Sequence, residues 1–561
     1  MSSATPAPTR RVRRLPLTGV LRLGRPSDIW FKPALSAVAS VAPPNLTLLA
    51  LGRLDLAMYT MAGSLCALYA HNKPYAARAR ALVWVVLGMI GGLAVALVTA
   101  SLTANAVVLV TVGAALAAVQ KGLCDATRIG PPGNVVLTFI SSASLFAPQT
   151  LGQVPGHLAL AAVAGAWAWL VGMAPALVRP HGPERRATAH ALNAAATYAA
   201  TPGTEDTAQA RARAAAAAAI HAAWQSLLAT GARTAPRIAL ERLVVRAEVA
   251  LAAPADADPE RLRAWARELR GRGPIPQADD AAVAELLGVD AELAAPARPL
   301  WTRLGPLTPL VLRTAIGCAL AGYVSLALGV GRPYWALVTA ASLYQANITL
   351  TWGRGVQRVV GNLAGVLVFA AVVPFAHAHP AALVLCCLAF NFGAEALIGR
   401  NYWLGSVCVT PMALLITEFA RAQQSRELIT ERVVDTLVGA LVGLAAAAVV
   451  TNRRATDRIE EALTGVEQAR ERAARLLAEP APAPGTLESA HRALAAALVE
   501  LRATVDAASG EWWQRALPQE RVVFAERSGH RTLAATVRRR ESHSWPAADR
   551  RRDGKTEGVR G

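Results

Sequence analysis

The chain has 561 residues, 54% of them hydrophobic and only 17% charged, and its mean hydropathy of +0.33 lies outside the range of ordinary soluble domains. Its net charge of +19 rests almost wholly on arginine, since Lys32, Lys73, Lys121 and Lys555 are the only lysines. The basic residues flank apolar runs or lie in stretches where Asp and Glu nearly balance them, a distribution that excludes a nucleic-acid-binding stripe and fits the positive-inside bias of a membrane protein.

Residues 1–31 form a basic segment in which Arg22 and Arg25 interrupt any signal-peptide core. The apolar block 32–178 follows. A helix needs about 20 apolar residues to cross the hydrocarbon core, and on that ruler the block divides into spans near 32–50, 54–71, 81–100, 105–120, 134–150 and 157–178. Residues 179–307, rich in Ala, Arg and Glu, read as a helical domain. Within it Thr204 is an expected cap for a helix over 204–230, and "DPERLRAWARELRG" places Asp258 at an N-cap, Pro259 at the first position and Gly271 as the stop. The second apolar block, 308–450, gives spans near 309–330, 334–350, 357–376, 380–397, 402–419 and 433–450. Residues 451–545 read as a second helical domain, with helices over 453–479 and 486–508 around the linker "PAPAPG", and 546–561 as a disordered tail.

The expected fold class is all-α: a polytopic membrane protein of two blocks of about six transmembrane helices with helical cytoplasmic domains. An even number of spans per block returns the chain to one side, so the N-terminus and both helical domains share a compartment. The arginines make it the cytoplasm. Interior loops then carry Lys73, Arg78, Arg80, Lys121, Arg128, Arg354, Arg358 and Arg400, while 418–432 falls outside despite its three arginines. The blocks also resemble each other. "LGRLDLAMYTMAGSLCALY" (51–69) aligns with "VGRPYWALVTAASLYQANI" (330–348), matching Gly52 to Gly331, Arg53 to Arg332 and Thr60 to Thr339, as in a parallel repeat about an axis along the membrane normal.

The polar residues of the second block carry the functional signal. Trp335, Thr339, Ser342, Gln345 and Thr349 recur at spacings of 4, 3, 3 and 4, one face of a continuous helix. Such a stripe faces either neighbouring helices, as interhelical glue, or a water-filled path. Arg354 and Arg358 follow at the expected cytoplasmic end, where an anion would meet positive charge before the polar lining. Gly361 and Gly365 form a G-x-x-x-G pattern read as helix packing, as do Gly88/Gly92 and Gly439/Gly443. Of the acids near the spans, Asp55, Glu395, Glu418 and Asp435, Glu395 is the most deeply placed and is the proton-coupling candidate. The six cysteines lie in or beside apolar runs without paired C-x-x-C spacing, so neither a disulfide framework nor a metal site is expected. Neither a phosphate-binding loop nor a metalloprotease motif occurs, and no enzyme, cofactor or catalytic residue is expected.

At "GRPYWALVTAASLYQANITLTWGRGVQRVVGNLAGVL" the chain resembles the fusaric acid resistance family, also called the aromatic acid exporter superfamily. The matching elements are Tyr334 and Trp335 opening a span, Thr339 within it, and Arg358-x-x-Gly361-x-x-x-Gly365 opening the next. "WLGSVCVTPMALLI" (403–416), with Thr410 and Pro411, looks like a later span of that family. The pattern has Thr where this chain has Asn362, and in the first block Asp55 and Leu56 stand where the second has Tyr334 and Trp335. The resemblance covers about 330–450, the first block agreeing mainly in layout. It implies a secondary transporter of the inner membrane that exports aromatic carboxylates or similar small organic anions, driven by the proton gradient. Plant aluminium-activated malate transporters look like distant relatives, six-span subunits paired around an anion path, and two blocks in one chain would build in that pairing. The expected partners are the lipid bilayer and the anion, with a homo-oligomer also compatible. A passive anion channel, or a scaffold recruiting partners through its helical domains, is the competing reading.

Overall fold

A computed structural model describes residues 15, 17–24, 30–201, 207–230, 234–277, 301–419, 424–450, 455–483, 485–510 and 518–553, with side chains described to 539 in the last helix. The first block contains α1 (Phe31–Ala50), α2 (Ala57–Ser64, continued as a tighter turn to Leu68), α3 (Tyr75–Leu102), α4 (Ala106–Ala126), α5 (Val135–Leu145) and α6 (Val154–Met173). A helical domain follows: α7 (Gly182–Ala199), α8 (Thr207–Leu228), α9 (Ala235–Ala252) and α10 (Pro259–Arg270). The second block holds α11 (Thr308–Ala327), α12 (Tyr334–Leu343), α13 (Ile348–Ala376), α14 (Pro380–Ile398), α15 (Tyr402–Glu418) and α16 (Ser425–Val449). The chain closes with α17 (Ala455–Ala478), α18 (Thr486–Ser509) and α19 (Gln519–Asp553). The protein is all-helical and crosses the membrane several times.

The two blocks repeat one packing scheme. In each, the second helix packs on the sixth and the third on both fifth and sixth, and α1 packs on α14 as α11 packs on α4. That reciprocal exchange is what a parallel repeat about a pseudo-two-fold produces. Among the described residues, eight helices are long and apolar enough to span a bilayer, while 54–68, 135–145, 334–343 and 402–418 are shorter apolar segments. The short ones occupy the second and fifth place of each block. At about 1.5 Å per residue a ten-residue α12 covers only about 15 Å, half of a hydrocarbon core. Short segments at matching positions of two repeats are where transporters place their sites.

The expected span 334–350 is therefore two elements. α12 stops at Leu343, Tyr344 is extended, and the side chain of Asn347 accepts from Leu350 N at 2.9 Å to cap α13. Capping of a new helix outcompetes continuation of the old one. α13 consequently begins nine residues earlier than expected and takes Arg354 and Arg358 into its length. α16 likewise starts at Ser425, so Arg432 belongs to a span and not to an outside loop.

The helical domains follow their sequence patterns. Asp258 Oδ1 accepts from Glu260 N at 3.0 Å and Arg261 N at 3.1 Å, capping α10, which ends at Gly271. Thr204 lies outside the described residues. Leu192, Trp224, Leu243 and Leu262 centre the first domain, and Ile459, Leu494, Leu498 and Leu533 the second. α19 runs on to Asp553. The last eight residues lie outside the described ones.

Candidate functional site: a cation-lined cavity between the blocks

Where the short helices meet, a cavity of about 1440 Å³ lies between the two blocks. One end borders α18, where Glu500 and Thr504 line it, and we call this the domain side. Basic side chains gather toward that end, with Lys73, Lys121, Arg128 and Arg313 on the wall. Trp335 and Phe139 also line it and belong to a cluster of rings. Trp335 stacks on Phe139 with centroids 5.4 Å apart, lies 4.8 Å from Tyr334, and Tyr334 lies 5.7 Å from Phe146.

Three guanidinium groups line the inner part. Arg358, 3% exposed, is the eleventh residue of α13 and so lies about 15 Å into the helix. Its Nη1 donates to Tyr402 Oη at 3.1 Å, and Arg354 stacks 3.8 Å above the same ring. Arg432, 1% exposed, sits 3.9 Å over the Trp335 ring. All three of its guanidinium nitrogens lack a hydrogen-bond partner. Asp435, one turn further along α16, is spoken for on one side only: Ser325 Oγ donates to Oδ1 at 2.5 Å, while Oδ2 has no partner. A desolvated, unpaired cation at the end of a cavity is costly by several kcal/mol, and an anion delivered through the cavity is the species that offsets that cost.

The structure brings some of the sequence-predicted residues together and separates others. Trp335, Ser342, Gln345, Arg354, Arg358 and Glu395 line the cavity, Gln345 from the α12–α13 connection and not from a helix face. Thr339 does not line it. It is fully buried against α16, where a Cβ on Gly439 would meet its Cβ at 2.7 Å. Thr349 is on α13, with its N and Oγ1 donating to Gly510 O at 3.1 and 2.8 Å, so it ties the second helical domain to the membrane block. The single-face stripe is thus corrected, because the break after Leu343 puts its two ends on different helices. Gly361 and Gly365 face α15: added Cβ atoms would lie 2.5 Å from Ser406 Cβ and 2.7 Å from Thr410 Cβ. Asn362, where the family pattern has Thr, donates to Thr436 Oγ1 at 3.0 Å and accepts from Thr410 Oγ1 at 2.7 Å. It glues α13 to α16 and α15.

Sequence reasoning missed Arg432 and Tyr402. Arg432 lay in a stretch assigned to a loop. Its signal is that Leu428, Arg432, Asp435, Gly439 and Gly443 fall at helical spacing, one buried face running straight into the last span. The first block offers no counterpart. At the place of Arg358 in α13, α3 has Val85, and at the places of Arg432 and Asp435 in α16, α6 has Ala161 and Ala164. The charged inner site is built by one block.

Comparison with known proteins places that block. A family model described as fusaric acid resistance protein-like matches residues 318–446, which contain Trp335, Arg354, Arg358, Tyr402, Arg432 and Asp435. The second block is therefore similar to fusaric acid resistance protein-like sequences. The chain is also similar to the uncharacterized membrane protein YvaC of Bacillus subtilis (strain 168), 28% identical over 209 residues, covering 37% of this chain and 32% of that protein. The match thus spans about a third of that relative's length. No solved structure matches. Within the matched block the inner cations Arg354, Arg358 and Arg432 sit on α13 and α16, the two helices that α15 and α12 clasp.

Proposed function

We propose that the protein is a secondary transporter of the inner membrane that exports small organic anions, aromatic carboxylates foremost, with its N- and C-termini in the cytoplasm. The observation that carries this is Arg432, buried without a hydrogen-bond partner at the inner end of the cavity. A carboxylate there gains a charge-assisted bond in low dielectric, and its ring has the aromatic side chains Trp335 and Phe139 nearby on the cavity wall. Basic residues toward the domain side attract the anion first. The ring cluster of Trp335, Phe139, Tyr334 and Phe146 beside the binding cation makes a gated carrier the preferred reading over a permanently open channel. Proton-gradient drive belongs to the same proposal, with Glu395 on the cavity wall as the exchanging carboxylate and Asp435 as a second acid beside the binding cation.

The test is benzoate flux in proteoliposomes. Wild type should accumulate or release [¹⁴C]benzoate with saturation and in response to an imposed pH difference. Arg432→Gln should reduce saturable flux by about tenfold or more with unchanged insertion, as expected for loss of one charge-assisted contact. Non-saturable flux that ignores Arg432 would overturn the carrier reading, and flux unaffected by collapse of the pH gradient would remove the proton from it.

A further inference from the structure

Residues 17–24 lie before the first span, yet their backbone is tied to the second block. Val20 O accepts from Gln357 Nε2 at 2.8 Å and from Asn401 Nδ2 at 3.0 Å. The same Asn401 amide donates to Arg22 O at 3.0 Å, and Trp403 Nε1 donates to Leu21 O at 3.1 Å. Gly24 N donates to Arg400 O at 2.8 Å, in a contact so close that a Cβ on Gly24 would lie 3.0 Å from that oxygen. Three consecutive carbonyls are therefore consumed by side chains of the membrane block.

The positions of those donors matter more than their number. Gln357 is the neighbour of Arg358 on α13, and Asn401 and Trp403 flank Tyr402 at the start of α15. The single carbonyl of Val20 bridges the two helices, just as the Arg358–Tyr402 hydrogen bond does. The outer bridge is made of backbone, so it does not depend on which side chains the segment carries: Leu17 and Leu23 are 67% and 53% exposed.

We propose that residues 17–24 are a staple between α13, at Gln357, and the start of α15 that positions the Arg358 guanidinium and the Tyr402 hydroxyl for the anion, an assignment that rests on the anion-site reading above. Gln357, Asn401 and Trp403 are then positioning residues that never touch the substrate. Asn401 has two duties, because its Oδ1 also accepts from Trp403 N at 3.3 Å to cap α15. It is therefore a poor first choice for mutation.

The experiment compares the full chain with two variants in detergent, one lacking residues 1–24 and one carrying Gln357→Met and Trp403→Phe, which removes two donors while keeping size and ring. Leu17→Ala is the control. Benzoate affinity is measured by titration, and amide hydrogen exchange is followed in peptides covering 348–360 and 400–406. The staple predicts faster exchange in both peptides and a benzoate Kd raised about threefold to tenfold in both variants. Maximal flux at saturating benzoate, read from the same proteins in proteoliposomes, should be unchanged and Leu17→Ala should match wild type. Unchanged exchange in the double variant overturns the staple, and so does faster exchange with an unaltered Kd. Should wild type itself fail to bind benzoate, the anion reading falls and the exchange measurement alone decides the staple.

Discussion

Replacing Arg432 by Met separates stability from function in a way that few substitutions do. Replacing a buried ion pair by apolar groups of similar volume is commonly neutral or stabilising, by about 1–4 kcal/mol, and removing a buried charge that has no hydrogen-bonded partner acts in the same direction. Arg432 is an extreme case, since it is 1% exposed and its three nitrogens lack hydrogen-bond partners. Against that gain stands the contact with Trp335 at 3.9 Å, worth about 0.5–2 kcal/mol. The net expectation is a variant about 1–2 kcal/mol more stable than wild type when no anion is present. Saturating ligand reverses the order, because an anion at 100 times its Kd adds about 2.7 kcal/mol to wild type and nothing to a variant that cannot hold it. The assay is thermal unfolding by intrinsic fluorescence in detergent with and without benzoate. Arg432→Met should unfold above wild type without benzoate, fall to or below it with saturating benzoate, and show no benzoate-induced shift of its own. A variant that unfolds earlier than wild type without ligand, or that keeps the benzoate shift, would refute the reasoning that Arg432 is an unpaired cation waiting for the substrate.

Gly361→Val should destabilise the second block by about 1–3 kcal/mol, since its Cβ would lie 2.5 Å from Ser406 Cβ and 2.6 Å from Trp403 O, whereas Gly353→Ala, with open space at its Cβ, should stabilise α13 by about 0.5–1 kcal/mol; the melting temperatures of the two purified variants check this. Gly510→Ala should detach the second helical domain from α13, because the new Cβ would fall 2.3–2.4 Å from the Asn347 amide where Gly510 O meets Thr349; limited proteolysis should release 455–553 faster than from wild type. In that same domain, burial, aided by Arg213, pushes the His530 imidazole down to about 4. Folded His530 is then neutral at pH values where the unfolded chain, near its ordinary value of 6.5, takes up a proton. Stability should accordingly fall as pH drops from about 6.5 to 4, by up to about 3 kcal/mol, and pH-dependent denaturation of His530→Asn should be flatter over that window.

Much of the architecture was legible in the sequence because it follows from local chemistry. Apolar runs of sufficient length must be helices in lipid, since every backbone group has to be satisfied within the segment. The long spans came from that rule, and the Asp258-capped helix from the preference of Asp for the N-cap position. The contact glycines, Gly361 and Gly365, were also readable, because a helix that repeats a missing side chain every fourth residue offers a groove. Hydropathy misled where a short polar signal competes with a long apolar one. Asn347 caps a new helix inside a run that hydropathy alone reads as continuous, and the single-face stripe fell apart at that cap.

The sequence alone therefore determined an all-helical membrane protein with a repeat, basic flanks and a polar, arginine-bearing stretch in its second half. Only the tertiary structure decided which of those polar groups share a space. Thr339 and Thr349 were drawn off into packing and docking. Arg432, seventy-four residues beyond Arg358 in the chain, was brought to the same cavity and left unpaired beside Trp335. Linear spacing encodes which face of one helix a residue occupies, whereas pairing between helices depends on where each one stops and what it crosses. That is why helical spacing could place Arg432 on a buried face but not show which groups of other helices it meets there.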